Sequence, residues 1–280
     1  MGTTTGLQLD QRLSESIGDW ISHPVTANIA ANTVIQCNHL NQYDDAGDKA
    51  WENHWVFITS KNNINVERKV RFSYTANAVL NVYGNNLAAD TNVADIRVYR
   101  YSHAQKLRAI NDAIREIYPD LFREVDDTSI VCNSALYEYN LPTTIQNGEV
   151  RQVLINTSVM STTAEGWDRV WNWAVINSGQ GIRLPGLFST GRALRVIGIA
   201  PINTITNACL DTIPISDEPN LTLLTAYSKY KLYQQVGSPV SSQDITRYDT
   251  EVAKAYGEYL RVLPRGRMSK PATTIKFRGF

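Results

Sequence analysis

The chain is poor in the residues that usually carry chemistry. Its 280 residues include 4 histidines and 3 cysteines. It has no phosphate-cradling glycine loop, no G-x-S-x-G elbow and no H-E-x-x-H pair. The sequence therefore gives no ground for a nucleotide hydrolase, a serine hydrolase or a zincin. The expectation is a protein that is not an enzyme, with no catalytic residue, cofactor or metal. Net charge is missing too, with Lys plus Arg at 27 and Asp plus Glu at 27. A neutral chain is poorly suited to bulk binding of nucleic acid or an anionic membrane. No apolar run is long enough to span a bilayer. The opening MGTTTGLQLDQRL lacks the basic-then-apolar order of a secretion signal. A myristoylation motif needs Ser or Thr at position six, where Gly6 stands.

Cys37, Cys132 and Cys209 are odd in number and far apart. They read as buried or half-buried free thiols of a reducing compartment. Asn156-Thr157-Ser158 and Asn220-Leu221-Thr222 match the glycosylation tripeptide, which says nothing without secretion. His23, His39, His54 and His103 are scattered. His39 and His54 share a β-rich region with Cys37 and Asp44, but no paired-ligand spacing links them. Asp44-Asp45, with Asp48, sits in a turn without the ligand spacing of a calcium loop and reads as solvated carboxylates. Asp126-Asp127 reads as a turn before a strand.

What is present is a strong pattern. Ser102 to Phe122 forms an amphipathic helix, with Ser102 as cap and Gln105 as its capping-box partner. Leu107, Ile110, Ile114, Ile117 and Leu121 make the apolar stripe. Arg108, Asp112, Arg115 and Glu116 make the polar face, with Arg108 and Asp112 four apart. Pro119 ends the helix. A shorter helix fits Leu7 to Ile17.

Between them, short strands fit Val25-Thr26, Thr33 to Ile35, Trp55 to Thr59, Lys69 to Tyr74, Val79 to Tyr83 and Ile96 to Tyr101. Their spacing suggests a small barrel or sandwich. A second strand-rich region covers Leu136 to Leu141, Val150 to Met160, Val170 to Val175, Gly181 to Leu184 and Ala193 to Ala200. On a strand Trp171 and Trp173 would share a face, near Trp167. That cluster fits a sheet core better than a sugar-stacking platform.

The last third is helical. Ser216 or Asp217 caps a helix running to about Val236, with Pro219 in its first turn and Leu223, Ala226, Tyr227, Tyr230 and Tyr233 on its buried side. Ser241 or Ser242 caps a second helix, carrying Ile245, Tyr248, Val252, Ala255, Tyr256 and Tyr259 and stopped by Pro264. The short break makes the pair antiparallel. From Arg261 onward the chain is basic without an acidic residue. It closes on Ile275 to Phe280, alternating apolar and basic, which fits either a strand added to a neighbour or a tail with no order of its own.

The reading is an α+β chain: an N-terminal β barrel or sandwich domain over 1–101, a helix, sheet and helix-pair core over 102–263, and an extended basic arm over 264–280. The run YRYSHAQKLRAINDAIREIYPDLFREVDD resembles a segment of head-to-tail connector proteins of tailed bacteriophages. Asn65 to Val70 before it, Tyr139-Asn140-Leu141-Pro142 after it, then a sheet, a helix pair and a tail follow the same order. The resemblance implies a structural virion protein made in the host bacterial cytoplasm. Its partners would be its own copies in a ring of twelve, the portal protein, and the next neck or tail-terminator protein. Double-stranded DNA would pass through without specific contact, and no membrane is involved. It implies portal or neighbour contacts by Arg265, Arg267, Lys270, Lys276, Phe277, Arg278 and Phe280. It also implies contacts between copies by Arg108, Asp112, Arg115, Glu116, Tyr230, Tyr248 and Tyr259. The Trp cluster and β content leave a second expectation open: a carbohydrate- or receptor-binding tail component, with glycosidase activity as an extension.

Overall fold

A computed structural model describes residues 2–43, 49–74, 78–91, 93–146, 148–157, 166–235, 242–266 and 268–269, with the side chains of 43 and 242–247 outside that description. In chain order the elements begin with β1 (Thr4–Thr5), α1 (Gly6–Ser16), β2 (Ile21–Pro24), β3 (Val34–Gln36), β4 (Trp55–Ile58), β5 (Val66–Tyr74), β6 (Val79–Val82), β7 (Asp95–Tyr99) and α2 (His103–Glu116). They continue with β8 (Arg123–Val131), β9 (Glu138–Asn140), β10 (Glu149–Asn156), β11 (Trp167–Arg169), β12 (Ala174–Ile176), β13 (Gly181–Arg183), β14 (Ala193–Ala200), β15 (Thr212–Ile213), α3 (Glu218–Gln235) and α4 (Ser242–Val262). The chain is α+β. Backbone contacts group it into two units, Met1–Glu116 with Asn203–Gly266 and Ile117–Ile202 with Arg267–Phe280.

The first unit holds a six-stranded sheet in the order β2-β7-β4-β5-β6-β3. Every ladder in it is antiparallel. Its two end strands do not pair, so the sheet is open rather than a closed barrel. The period-two alternation of β4 and β7 divides its residues between two faces. Val56, Ile58, Ile96 and Val98 enter a core with Val25, Ile35, Leu80 and Trp51. Phe57, Arg97 and Tyr99 point the other way.

Thr5 caps α1 in a reciprocal box with Gln8. The expected box at α2 is present: Ser102 Oγ accepts from Gln105 N at 3.0 Å, and Gln105 Oε1 accepts from Ser102 N at 3.1 Å. α2 stops at Glu116, so it is shorter than the stretch to Phe122 expected from periodicity. Of the expected stripe Ile110, Ile114, Ile117 and Leu121 are buried, and the buried face of α2 extends beyond it. His103, Lys106, Ala109, Ile110, Ala113 and Ile114 are buried, whereas Leu107 is half-buried.

Asp217 caps α3 by accepting from Asn220 N at 3.3 Å. α3 packs against α1, α2 and α4. Neighbours on three sides explain why its apolar residues are not confined to one face. Its deepest positions are Leu221, Leu223, Leu224, Ser228 and Leu232, while Tyr227, Tyr230 and Tyr233 are only half-buried. Tyr227 meets Tyr259 at 4.5 Å and Tyr230 meets Tyr256 at 5.0 Å between ring centroids. That pairing order makes α3 and α4 antiparallel. Gly266, just past α4, lies so close to α3 that a Cβ would sit 2.6 Å from Leu223 Cβ and 2.8 Å from Pro219 O.

The second unit contains two antiparallel sheets, β11-β10-β14-β8 and β12-β13-β9. Val125, Ile130, Val153, Ile155, Val170, Ile182, Leu194 and Val196 form its core. Two expectations are corrected here. Asp126 and Asp127 lie inside β8, not in a turn before it. The Arg195 guanidinium of β14 takes Asp126 as a fork, and Asp127 accepts from Ser129 N at 2.8 Å where the ladder shifts register. Val170 to Val175 is not one strand. Trp171, Asn172 and Trp173 form the connection between β11 and β12, with Asn172 at φ 57°. That left-handed backbone breaks the alternation that would have put both indoles on one face.

Candidate functional site: a buried charge cluster and an exposed helix layer

The densest polar constellation lies in the first unit, where α1, α2 and the outward face of β7 and β5 meet. Asp10 is its hub. Its Oδ2 accepts from Arg97 Nη1 at 3.1 Å and from the Tyr99 hydroxyl, and its Oδ1 lies 3.2 Å from His103 Nδ1. Lys106 Nζ donates to Ser14 Oγ at 2.9 Å, pairs with Asp19 at 3.0 Å and stands 3.2 Å over the Tyr99 ring. Asp19 also accepts from Arg100 N at 2.7 Å and Tyr101 N at 3.3 Å. The Glu67 carboxylate accepts from the His103 and Ala104 backbone N–H groups, closing the first turn of α2. The His103 ring stacks on Phe57 at 3.9 Å, and Arg97 covers Trp20 at 4.4 Å.

The side chains of Asp10, Asp19, Arg97, His103 and Lys106 are between 0 % and 9 % exposed. Burial pushes the Asp10 carboxyl up. The His103 hydrogen bond and charge, then Lys106 and Tyr99, pull it further the other way, so it ends below the usual carboxylate range. Burial pushes the Glu67 carboxyl up against the pull of His103 and Ala104. Burial lowers the Lys106 ammonium, opposed by Asp10 and Asp19. Burial and the Asp10 charge raise the Tyr99 hydroxyl. The arrangement satisfies charges away from water and ties two helices to one sheet. Asp10, Asp19, Glu67, Arg97, Tyr99 and Lys106 were not among the residues singled out from sequence. The available signal was Lys106 standing on the apolar stripe of α2, and Asp10 between Leu9 and Leu13 on that of α1.

The residues expected to meet other copies are placed as follows. Arg108 and Arg115 are exposed. Asp112 and Glu116 are taken by α3 of the same chain. Gln235 Nε2 donates to Asp112 at 2.7 Å, and Glu116 receives Lys231 at 2.6 Å and the Tyr227 hydroxyl at 2.7 Å. Asp112 pairs with Arg115 at 3.6 Å, not with Arg108. These contacts run oppositely along the two helices, so α2, α3 and α4 form a layer in which each helix is antiparallel to the next. Burial first, then the Glu116 bond, raises the Tyr227 hydroxyl. Tyr230 and Tyr259 are half-buried in the tyrosine stack, and Tyr248 donates to Gln234 O at 3.2 Å. Tyr256 and Leu260 stand on the outside, 43 % and 47 % exposed.

Arg265 lines an open cleft with Glu218, Pro219, Thr222, Arg261 and Val262. Arg267, Lys270, Lys276, Phe277, Arg278 and Phe280 lie outside the described residues, as does the Asp44 to Asp48 turn. Among the described residues no three His, Cys, Asp or Glu side chains are grouped to hold a metal ion. His39 stacks on His23 at 5.2 Å, while His54 meets the edge of Trp51 at 5.4 Å. All three thiols are free, with Cys37 and Cys132 buried and Cys209 half-buried. No described helix is long and apolar enough to cross a membrane. Of the tryptophans, Trp173 packs on the core of the second unit, Trp167 lies under Arg195 and Trp171 is 45 % exposed. No protein-family model matches the chain, and no curated protein matches it.

Proposed function

We propose that the chain is a head-to-tail neck adaptor of a tailed bacteriophage. In this reading copies close into a ring below the portal, twelve by resemblance, and link the capsid vertex to the next neck or tail protein around a DNA channel. The observation that carries it is the antiparallel α2–α3–α4 layer, built on the same helix that bears the connector-like run. Its half-buried tyrosines leave Tyr256 and Leu260 uncovered on α4, and Arg108 and Arg115 are exposed on α2. Tyrosine brings large contact area with few rotors, which suits interfaces that form late. A closed ring needs two different patches on each copy. The helix layer supplies one and the basic arm beyond Arg265 the other. Zero formal net charge suits a channel through which DNA slides without being held. In this reading residues 1–101 supply the strand-rich part of the first unit, and residues 264–280 the arm.

Cross-linking mass spectrometry on intact particles tests the arm. Cross-links from Lys270 or Lys276 to the portal or to an adjacent copy are expected. Their absence from well-cross-linked particles refutes it. A glycan-binding tail component is the second reading, favoured by the exposed Trp171. It predicts measurable glycan affinity that Trp171→Ala removes.

A further inference from the structure

The four-stranded sheet of the second unit ends on β8, and no described strand pairs with its outer side. An open edge of 9 residues is a template for another strand. The edge has a definite character. Val125 and Ile130 turn inward at 5 % and 8 % exposure, while Glu124, Asp126 and Thr128 are exposed. Asp126 is already held by Arg195, whereas the Glu124 carboxylate has no ion pair among the described residues.

The chain carries a segment of matching pattern. In Thr273 to Phe280, Ile275 and Phe277 alternate with Lys276 and Arg278. As a strand it would continue the apolar face of β8 with one side and bring two cations to the acidic side with the other. Pro271 has no N–H to give to a ladder, and the alternating pattern begins after it.

Reach decides whose edge receives it. Met268 N donates to Asp120 O at 3.1 Å, so the last described residues are tied to the chain just ahead of β8. β8 is about 30 Å long at about 3.3 Å per residue. Residues 269–272 stretch at most about 14 Å. They cannot carry Thr273 to the far end of β8, so the chain's own edge could take the segment over its full length only in the parallel sense. Every ladder described in the chain is antiparallel. A second copy can offer its β8 in the antiparallel sense.

We infer that Thr273 to Phe280 adds as an antiparallel strand to the β8 edge of an adjacent copy, with Lys276 or Arg278 beside Glu124. This rests on the ring reading above and names the surface that receives the arm. The test uses the full chain. Isotopically heavy and light protein are mixed, assembled and treated with a zero-length carboxylate–amine cross-linker, and assembly is followed by sedimentation velocity. Mixed-isotope cross-links from Lys276 to Glu124 are expected. Glu124→Lys should raise the concentration needed for assembly about tenfold, as a like-charge contact does, and Lys276→Glu in the same chain should restore it. Assembly with Lys276 cross-linked elsewhere, or only within one isotope, overturns the inference and leaves the ring standing. A full chain that never assembles, alone or on a portal, removes the ring reading and this inference together.

Discussion

Asp10 shows at the level of one residue why this chain tolerates charges in its interior. Its carboxylate is 1 % exposed and meets Arg97, Tyr99 and His103. Deleting one member of such a set leaves the others buried and unpaired, which costs about 3–5 kcal/mol. Asp10→Asn should lower the free energy of urea unfolding at pH 7 by that amount. The sign of the pH dependence follows from the lowered carboxyl. Its contribution is complete above the ordinary value of 3.8 and is lost as pH falls through the folded value. The gap between wild type and Asp10→Asn should therefore close below pH 3.8. Glu67 acts with the opposite sign and in a different window. Its raised carboxyl removes stability as pH rises from 4.5 through the folded value, so it does not mask the Asp10 limb. Lys106→Met should cost less than Asp10→Asn, because Asp19 keeps the Arg100 and Tyr101 N–H groups. A larger loss for Lys106→Met, read in the same urea experiment, would contradict this ranking.

The helices and strands were legible to different depths. Five strands of the six-stranded sheet and the four described helices follow from alternation, helical period and capping residues, with ends shifted by a few positions, whereas the sequence puts a strand at Val25-Thr26 and the structure has it just before, as β2. The Ser102–Gln105 box is as the sequence dictates, and Ser102→Ala should cost about 1 kcal/mol in thermal unfolding. The charge cluster was hidden because its members come from four separate stretches, and only tertiary pairing makes a buried Lys106 or Asp10 tolerable. The buried side of α3 was misread because a helix packed on three sides has no single apolar face. Asp126-Asp127 looked like a turn because nothing local announces that Arg195, far along the chain, takes the carboxylate. The α3–α4 pair separates stability from assembly. Leu224 is 1 % exposed, and Leu224→Ala should cost about 2–5 kcal/mol. Tyr256 is 43 % exposed, and Tyr256→Ala should shift stability by about 0.5 kcal/mol or less. In the ring reading Tyr256→Ala nonetheless weakens assembly, which sedimentation at matched concentration would detect.

At the scale of the whole molecule, the ring reading looks to exposed surfaces rather than to a cleft. The most polar constellation is sealed between α1, α2 and a sheet, where it fixes a scaffold. Among the described residues the open features are the outer face of the helix layer in the first unit and the β8 edge in the second. In the ring reading these are the surfaces that would meet neighbouring copies, and the neutral balance of charge would let those contacts be local rather than a single field. Negative-stain microscopy of the purified full chain mixed with a portal ring tests this most directly. The account predicts a single class of closed rings stacked coaxially on the portal. Particles that stay monomeric beside bare portals, and bind a glycan through Trp171, would contradict it.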